Sequence, residues 1–304
     1  VGNGTSSTLI NGDNDADVVK ITEANVSFSG FKLYINDGIG ISITSDNTTI
    51  KNSKIVGDYC NDNGGGISIS SSNNLIDANV ISDVFSYAIN VGGSSNVVTN
   101  NTISNLCTAT GIDLGGSNNY VASNSISDHW IGLDISGNNH MIIDNDISGA
   151  DCSASDCGYN IRLNSANYNT IKNNDLGSAY RTVLLMVSSD NNTIIDNDII
   201  GGSSATGLDF SGENNIITNN TIADNDVGIG PYIAQEGSGN FVTNTVVNNT
   251  IKDSGYGIML NSDYLGVLNY FSDNIWDFYI LNSCDGCQIR DISSSVYIGI
   301  EGSN

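Results

Sequence analysis

The residues with the most chemical potential are carboxylates that recur at one place in similar strings. Gly111-Ile112-Asp113-Leu114, Gly132-Leu133-Asp134-Ile135 and Gly207-Leu208-Asp209-Phe210 share a pattern, and Gly66-Ile67-Ser68-Ile69 and Gly257-Ile258-Met259-Leu260 repeat it without the acid. The residue between the two apolar ones points out of a strand. If the strings stack, the outward column reads Ser68, Asn90, Asp113, Asp134, Arg162, Leu185, Asp209, Gly230 and Met259. Asp113, Asp134 and Arg162 then become neighbours, with His129 and Trp130 in the turn before Asp134. Two carboxylates about 5 Å apart beside an arginine can exchange protons with a sugar ring, or hold an acidic sugar through a cation. The competing reading is a solvated outer face with an Asp–Arg contact.

A second acidic column reads Thr102, Ser125, Asp146, Asp175, Asp198 and Thr221, flanked by Asp144 and Asp196. Like charges on paired strands destabilise a sheet, so a counter-ion is expected. Calcium, which takes six to eight oxygen ligands, would suit Asp144, Asp146, Asp175, Asp196 and Asp198; screening by bulk salt is the alternative. Asp13-Asn14-Asp15-Ala16-Asp17 alternates like a calcium loop but lacks the following glycine and the closing glutamate. No other cofactor is expected.

Six cysteines point to an oxidising compartment. Cys152–Cys157 and Cys284–Cys287 are close enough for local bridges, and Cys60–Cys107 would join two turns, although spacing does not fix the connectivity. Asn3, Asn25, Asn47, Asn100, Asn191, Asn219 and Asn248 each open an Asn-x-Ser/Thr glycosylation signal. The repeat produces some of these strings for its own reasons.

That repeat positions everything else. Two asparagines five residues apart recur at Asn47/Asn52, Asn74/Asn79, Asn96/Asn101, Asn119/Asn124, Asn169/Asn174, Asn192/Asn197, Asn215/Asn220 and Asn244/Asn249, and His140 replaces the first Asn of one unit while Asn145 remains. Apolar landmarks follow at Ile81, Ile103, Ile126, Ile147, Leu176, Ile199, Ile222, Ile251 and Ile275, 21 to 29 residues apart. Short alternating strands cannot form a core alone, but stacked rung on rung they bury a continuous apolar column. The fold class is therefore all-β: a single-stranded, right-handed parallel β-helix of three sheets and about twelve rungs, on the order of 55–60 Å long. It is read as one domain over residues 1–304, with inserted turns at 56–65, 104–110, 148–157 and 177–181. Asn79, Asn101, Asn124, Asn145, Asn174, Asn197, Asn220 and Asn249 are assigned to an inward ladder at one corner, where their amides bridge rungs and their backbone takes a left-handed turn.

Composition agrees. Among 304 residues there are 46 Asn and 34 Gly but 1 Pro, and of 33 acidic residues 29 are Asp. These are turn formers with poor helix propensity. A net charge of -24 excludes a phosphate-tracking nucleic-acid binder, and no apolar run is long enough to enter a membrane. The sequence opens at Val1 with no Met and no basic or apolar leader, so any export signal is expected to have been removed or to lie outside it, and neither end carries an obvious cap; the expectation is that either copies stack end to end or the chain is one segment of a longer surface protein. Eight late aromatics, among them Tyr256, Phe271, Trp276 and Phe278, suggest a thicker core, an interface or a sugar-stacking platform near that end.

These repeats resemble the parallel β-helix families of the pectate-lyase-like superfamily, including the carbohydrate-binding and sugar-hydrolase type and the periplasmic copper-binding type of many archaeal surface proteins. The resemblance covers nearly the whole chain. It implies the fold directly, whereas the scaffold hosts lyases, hydrolases, epimerases, adhesins and structural proteins alike. Related pectin hydrolases carry Gly-His-Gly and Arg-Ile-Lys strings, which are absent, and pectate lyases recruit several basic residues where this chain has three arginines in all. Copper, implied by one branch, needs clustered soft ligands, and His129 and His140 are the only histidines beside three methionines. The expected function is an extracellular or cell-surface structural or adhesive protein, a candidate filament subunit contacting copies of itself, other envelope proteins or polysaccharide. The alternative is a polysaccharide-active enzyme or carbohydrate-binding module using Asp113, Asp134 and Arg162.

Overall fold

The computed structural model describes residues 4, 8–12, 17–58, 64–106, 109–150, 158–202, 204–231, 244–260, 269–280 and 297–300. Among these residues every regular element is a strand of three to six residues, and none is a helix. The strands are built on Ile, Val and Leu, whose branched side chains suit a pleated surface; Asn, Asp, Gly and Ser make the corners. One rung runs through Val97–Thr99, Thr102–Ser104 and Thr110–Leu114. Thr102–Ser104 belongs to the first sheet, of 12 strands, Thr110–Leu114 to the second, of 13, and Val97–Thr99 to the third, of 10. Pairing is parallel throughout, each strand bonding to its counterpart one turn away. The coil is the three-sheeted solenoid expected, with a rung count close to twelve.

Register follows the apolar landmarks. Ile81, Ile103, Ile126, Ile147, Leu176, Ile199, Ile222 and Ile251 pair in succession along the first sheet, and all are buried. The ninth landmark is different. Ile251 pairs with Phe271, while Ile275 is 71% exposed. This rung is short, and Phe271 takes the inward place, packing against Phe278 at 5.0 Å. The turn expected at 177–181 is also largely strand, Asp175–Ala179.

The asparagine ladder exists, and there are two of them. In the expected one, Asn101 donates from its backbone N–H and its Nδ2 to Asn124 Oδ1, both at 3.0 Å, and from Nδ2 to Ile76 O at 3.0 Å. The same pattern runs from Asn79 to Asn249 and on to Asn269. The first asparagines of the repeat form a second column, Asn74 to Asn244, in which His140 stands in as acceptor: Asn119 N–H donates to its Nδ1 at 3.0 Å. The ladder residues do not themselves adopt the left-handed backbone. It falls one residue earlier, at positions such as Asn100, Asp144, Asn173 and Asp196, with φ of 54–56°. That residue swings the chain through the corner, so the next side chain enters the interior.

Near the start of the second-sheet strands space is short, and the position is held by Gly in most rungs and by residues such as Ala88, Asn160 or Val183 in others. A Cβ on Gly111 would lie 2.5 Å from Gly132 O and 2.7 Å from Ile126 Cγ2. This explains the glycine that opens each Gly-Ile-x-Leu string and fixes the following outward residue on the outer face of the second sheet.

Candidate functional site

The outward column of the second sheet is in the predicted register. Ser68 pairs with Asn90, Asn90 with Asp113, Asp113 with Asp134, Asp134 with Arg162, Arg162 with Leu185, and Leu185 with Asp209. From Ser68 to Arg162 the outward residues are all polar. Asn90 Nδ2 donates to Asp113 Oδ2 at 3.0 Å. Arg162 grips Asp134 with two bonds, Nε to Oδ1 at 2.9 Å and the guanidinium to Oδ2 at 2.5 Å, and both side chains are about one-fifth exposed. Partial burial, with the Asp134 charge adding to it, raises the pKa of Asp113 above the usual carboxylate value; the Asn90 bond and the Arg162 charge oppose that rise. Chemically the line holds one carboxyl inclined to keep its proton and one clamped by a guanidinium.

Sequence reasoning missed Tyr87 here. Its hydroxyl bonds Ser68, and burial raises its pKa, with Asp17 and Asp113 adding to the effect. Gly65 makes room for its ring, since a Cβ there would lie 2.6 Å from Tyr87 Cζ. Asp209 was placed in the column but not singled out. Burial pushes its pKa up to about 7, and its Oδ1 is shut from solvent without a hydrogen-bond partner.

His129 does not join the line. It ends the strand Ser125–His129, is buried, and its Nε2 lies 3.2 Å from Asn160 Oδ1. Burial lowers its pKa to about 4, and burial does the same to His140. Trp130 lies half-buried at the corner.

On the first sheet Asp146 pairs with Asp175 and Asp175 with Asp198, as expected. Burial, then the charges of Asp146 and Asp198, raise the Asp175 pKa. Lys172 reaches Asp196 at 3.7 Å. Among the described residues no group of three or more His, Cys, Asp or Glu side chains converges as a metal site. All six cysteines, Asn3 and residues 13–16 of the calcium-like loop lie outside the described residues. The remaining glycosylation signals, at Asn25, Asn47, Asn100, Asn191, Asn219 and Asn248, all sit at left-handed corners, with φ of 55–62°.

Residues 65–174 match the family model of the right handed beta helix region, and residues 143–285 match that of the periplasmic copper-binding protein NosD. Among solved structures, the A-module of the Azotobacter vinelandii mannuronan C-5 epimerase AlgE4 aligns at a TM-score of 0.60 and 12% identity, covering 93% of this chain and 85% of its own. The Dettilon tailspike protein aligns at 0.53 and 12% identity, over 89% of this chain. The chain spans only 62% of that tailspike's length. The periplasmic alginate epimerase AlgG gives 0.51 and 13% identity, covering 84% and 76% of the two chains. No curated protein matches the sequence. At such identities the likeness is one of fold.

The described residues do not fit copper. Both histidines lie outside the 143–285 match and are buried, with His140 Nδ1 already engaged as an acceptor. Met186 is fully buried in the core, and among the described residues no cluster of metal-binding side chains forms.

Proposed function

This chain is a right-handed parallel β-helix repeat protein, and from that premise we propose that it is a structural or adhesive protein working outside the cytoplasm, at a cell surface or in an envelope. The observation that carries this reading is the Asp134–Arg162 bridge. It takes up both oxygens of one candidate catalytic carboxylate together with the arginine that would hold an acidic substrate. What remains is a regular solenoid whose second-sheet outer column is held by the rung-to-rung bonds of Asn90 to Asp113 and Arg162 to Asp134. The periplasmic description of the matched NosD family supports a non-cytoplasmic setting, and no helix among the described residues is long and apolar enough to cross a membrane. Calcium along the Asp146–Asp198 column, glycans at the corner asparagines and disulfides among the six cysteines belong to the same reading, as do end-to-end contacts between copies. Negative-stain microscopy of concentrated protein tests it: rods joined into filaments are expected, and dispersed single rods at every concentration would remove the filament role.

One observation favours a second reading, a polysaccharide-active enzyme. Asp113, with its raised pKa, stands one rung from the clamped Asp134, and a carboxyl that holds its proton above the ordinary range is suited to act as a general acid. The aligned epimerases are named for mannuronan and for alginate. Turnover of alginate or pectate by the wild type, abolished in Asp113→Asn, would establish this reading in place of the first.

A further inference from the structure

The outer face of the third sheet differs from the other two. Leu75, Val97, Tyr120 and Met141 occupy one column on four successive rungs. Tyr120 is 37% and Met141 47% exposed. Met141 pairs with Thr170 on the next rung, and at the corner two residues before Thr170 stands Tyr168, 61% exposed.

Tyr168 is the unusual member of its own column. The equivalent left-handed corners carry Asn73, Ser95, Asn118, Asn139, Asn191 and Asn214, and Tyr168 adopts the same conformation at φ 60°. Asparagine tolerates that backbone through its short polar side chain, whereas a bulky residue there is strained. The ring stays outside the buried core. Strained backbone positions cluster at functional sites, which directs attention to the exposed face around this ring.

We propose that Tyr120, Met141 and Tyr168 form a stacking strip for one extended, uncharged glycan chain. The width of the strip selects the ligand. Three-residue strands bounded by corners give a face about 10 Å wide, so four rungs offer on the order of 200 Å², far below the roughly 800 Å² per partner of a stable protein interface. That shape suits a single sugar chain, whose flat C–H faces lie on tyrosine rings and whose hydroxyls meet the exposed Asn118 and Asn139 at the adjoining corner. Charge selects further. The protein carries a net -24, and Lys172, on the rung of Thr170, leans to Asp196 at 3.7 Å, so a polyanionic glycan finds repulsion where a neutral one finds none. The strip lies on a different sheet from Asp113 and Asp134, and rests on the adhesive reading only for the choice of a glycan as ligand.

Isothermal titration with cellohexaose and chitohexaose as neutral probes, and alginate hexamer as the polyanionic one, tests the strip. Tyr168→Ser and Tyr120→Thr are the informative variants, because Ser95 holds the first position in another rung and Thr49, Thr170 and Thr193 hold the second. Both should fold with an undiminished melting temperature. Binding of at least one neutral hexamer, weakened about three- to tenfold by each variant as expected for the loss of one aromatic contact, supports the strip. Three results would overturn it: no neutral binding, preference for alginate, or a concentration-dependent dimer that disappears in Tyr168→Ser and so marks the face as a contact between copies. None of these bears on the filament test, which leaves the strip and the scaffold reading separable.

Discussion

The two acidic columns begin from the same difficulty and resolve it differently. On the second sheet Asp113 and Asp134 stack one rung apart, but the column also contains Asn90 and Arg162, each bonded to the nearer carboxylate. On the first sheet Asp146, Asp175 and Asp198 stack with no such insertion, and Asp175 responds with a raised pKa. The number of acids is similar. What differs is whether the register delivers a donor to the next rung, and that decides whether a stack of carboxylates becomes an ordered line or a solvated edge that bulk salt or a cation must relieve.

Register is the shared premise, so breaking it gives the largest effect. Asn174 accepts from Asn145 N–H at 2.9 Å and donates to Ile142 O at 3.0 Å. Asn174→Ala strands both groups in the interior and should cost about 3–5 kcal/mol in a denaturant titration. Next is Asp209, the member of the second-sheet column with an unpartnered oxygen. Its pKa of about 7, against roughly 3.9 unfolded, means that the folded chain holds the proton more tightly. That stabilisation is complete below about pH 4 and is lost as pH rises through 7. Asp209→Asn should therefore exceed the wild type by about 2–4 kcal/mol at pH 8 and match it near pH 4.

A smaller change converts one column into the other. Arg162→Ala leaves Asp134 without its bridge, and the partly exposed pair should contribute about 1–2 kcal/mol, measured as a drop in stability at pH 7 that shrinks in high salt. Smallest is Asp175→Asn, which removes the middle charge of the first-sheet stack; a gain of about 0.5 kcal/mol at low ionic strength is expected, vanishing with added salt. If chelator lowers the melting temperature of the wild type but not of Asp175→Asn, calcium is the counter-ion.

Much of this was legible in the residues, for a physical reason. A solenoid converts sequence period into spatial neighbourhood, so the recurring Asn pair and the Gly-Ile-x-Leu strings sufficed to place Asp113, Asp134 and Arg162 side by side. Direction was harder. From Asn74/Asn79 onward both asparagines of the pair turn inward, because each follows its own left-handed corner residue, whereas Asn47 and Asn52 are themselves the corner residues and Thr48 and Ser53 take the inward places; spacing alone does not reveal which side of a corner faces the core. His129 looked like a site residue by proximity in sequence, but it closes a strand and points inside. Tyr87 is accommodated by a glycine one rung away, and Asp209 stands out through burial and one unpartnered oxygen, neither of which leaves a motif. Ile275 misled because the rung after Ile251 is shorter than those before it, with Phe271 in the inward place.

The central claim is that Asn90, Asp113, Asp134 and Arg162 form one electrostatically coupled line. A carboxyl-carbon NMR titration of Asp113 in the wild type and in Arg162→Ala tests it directly. The midpoint should lie above the ordinary carboxylate value in the wild type and move higher when the guanidinium is removed. A midpoint at the ordinary value, unmoved by the substitution, would contradict the account.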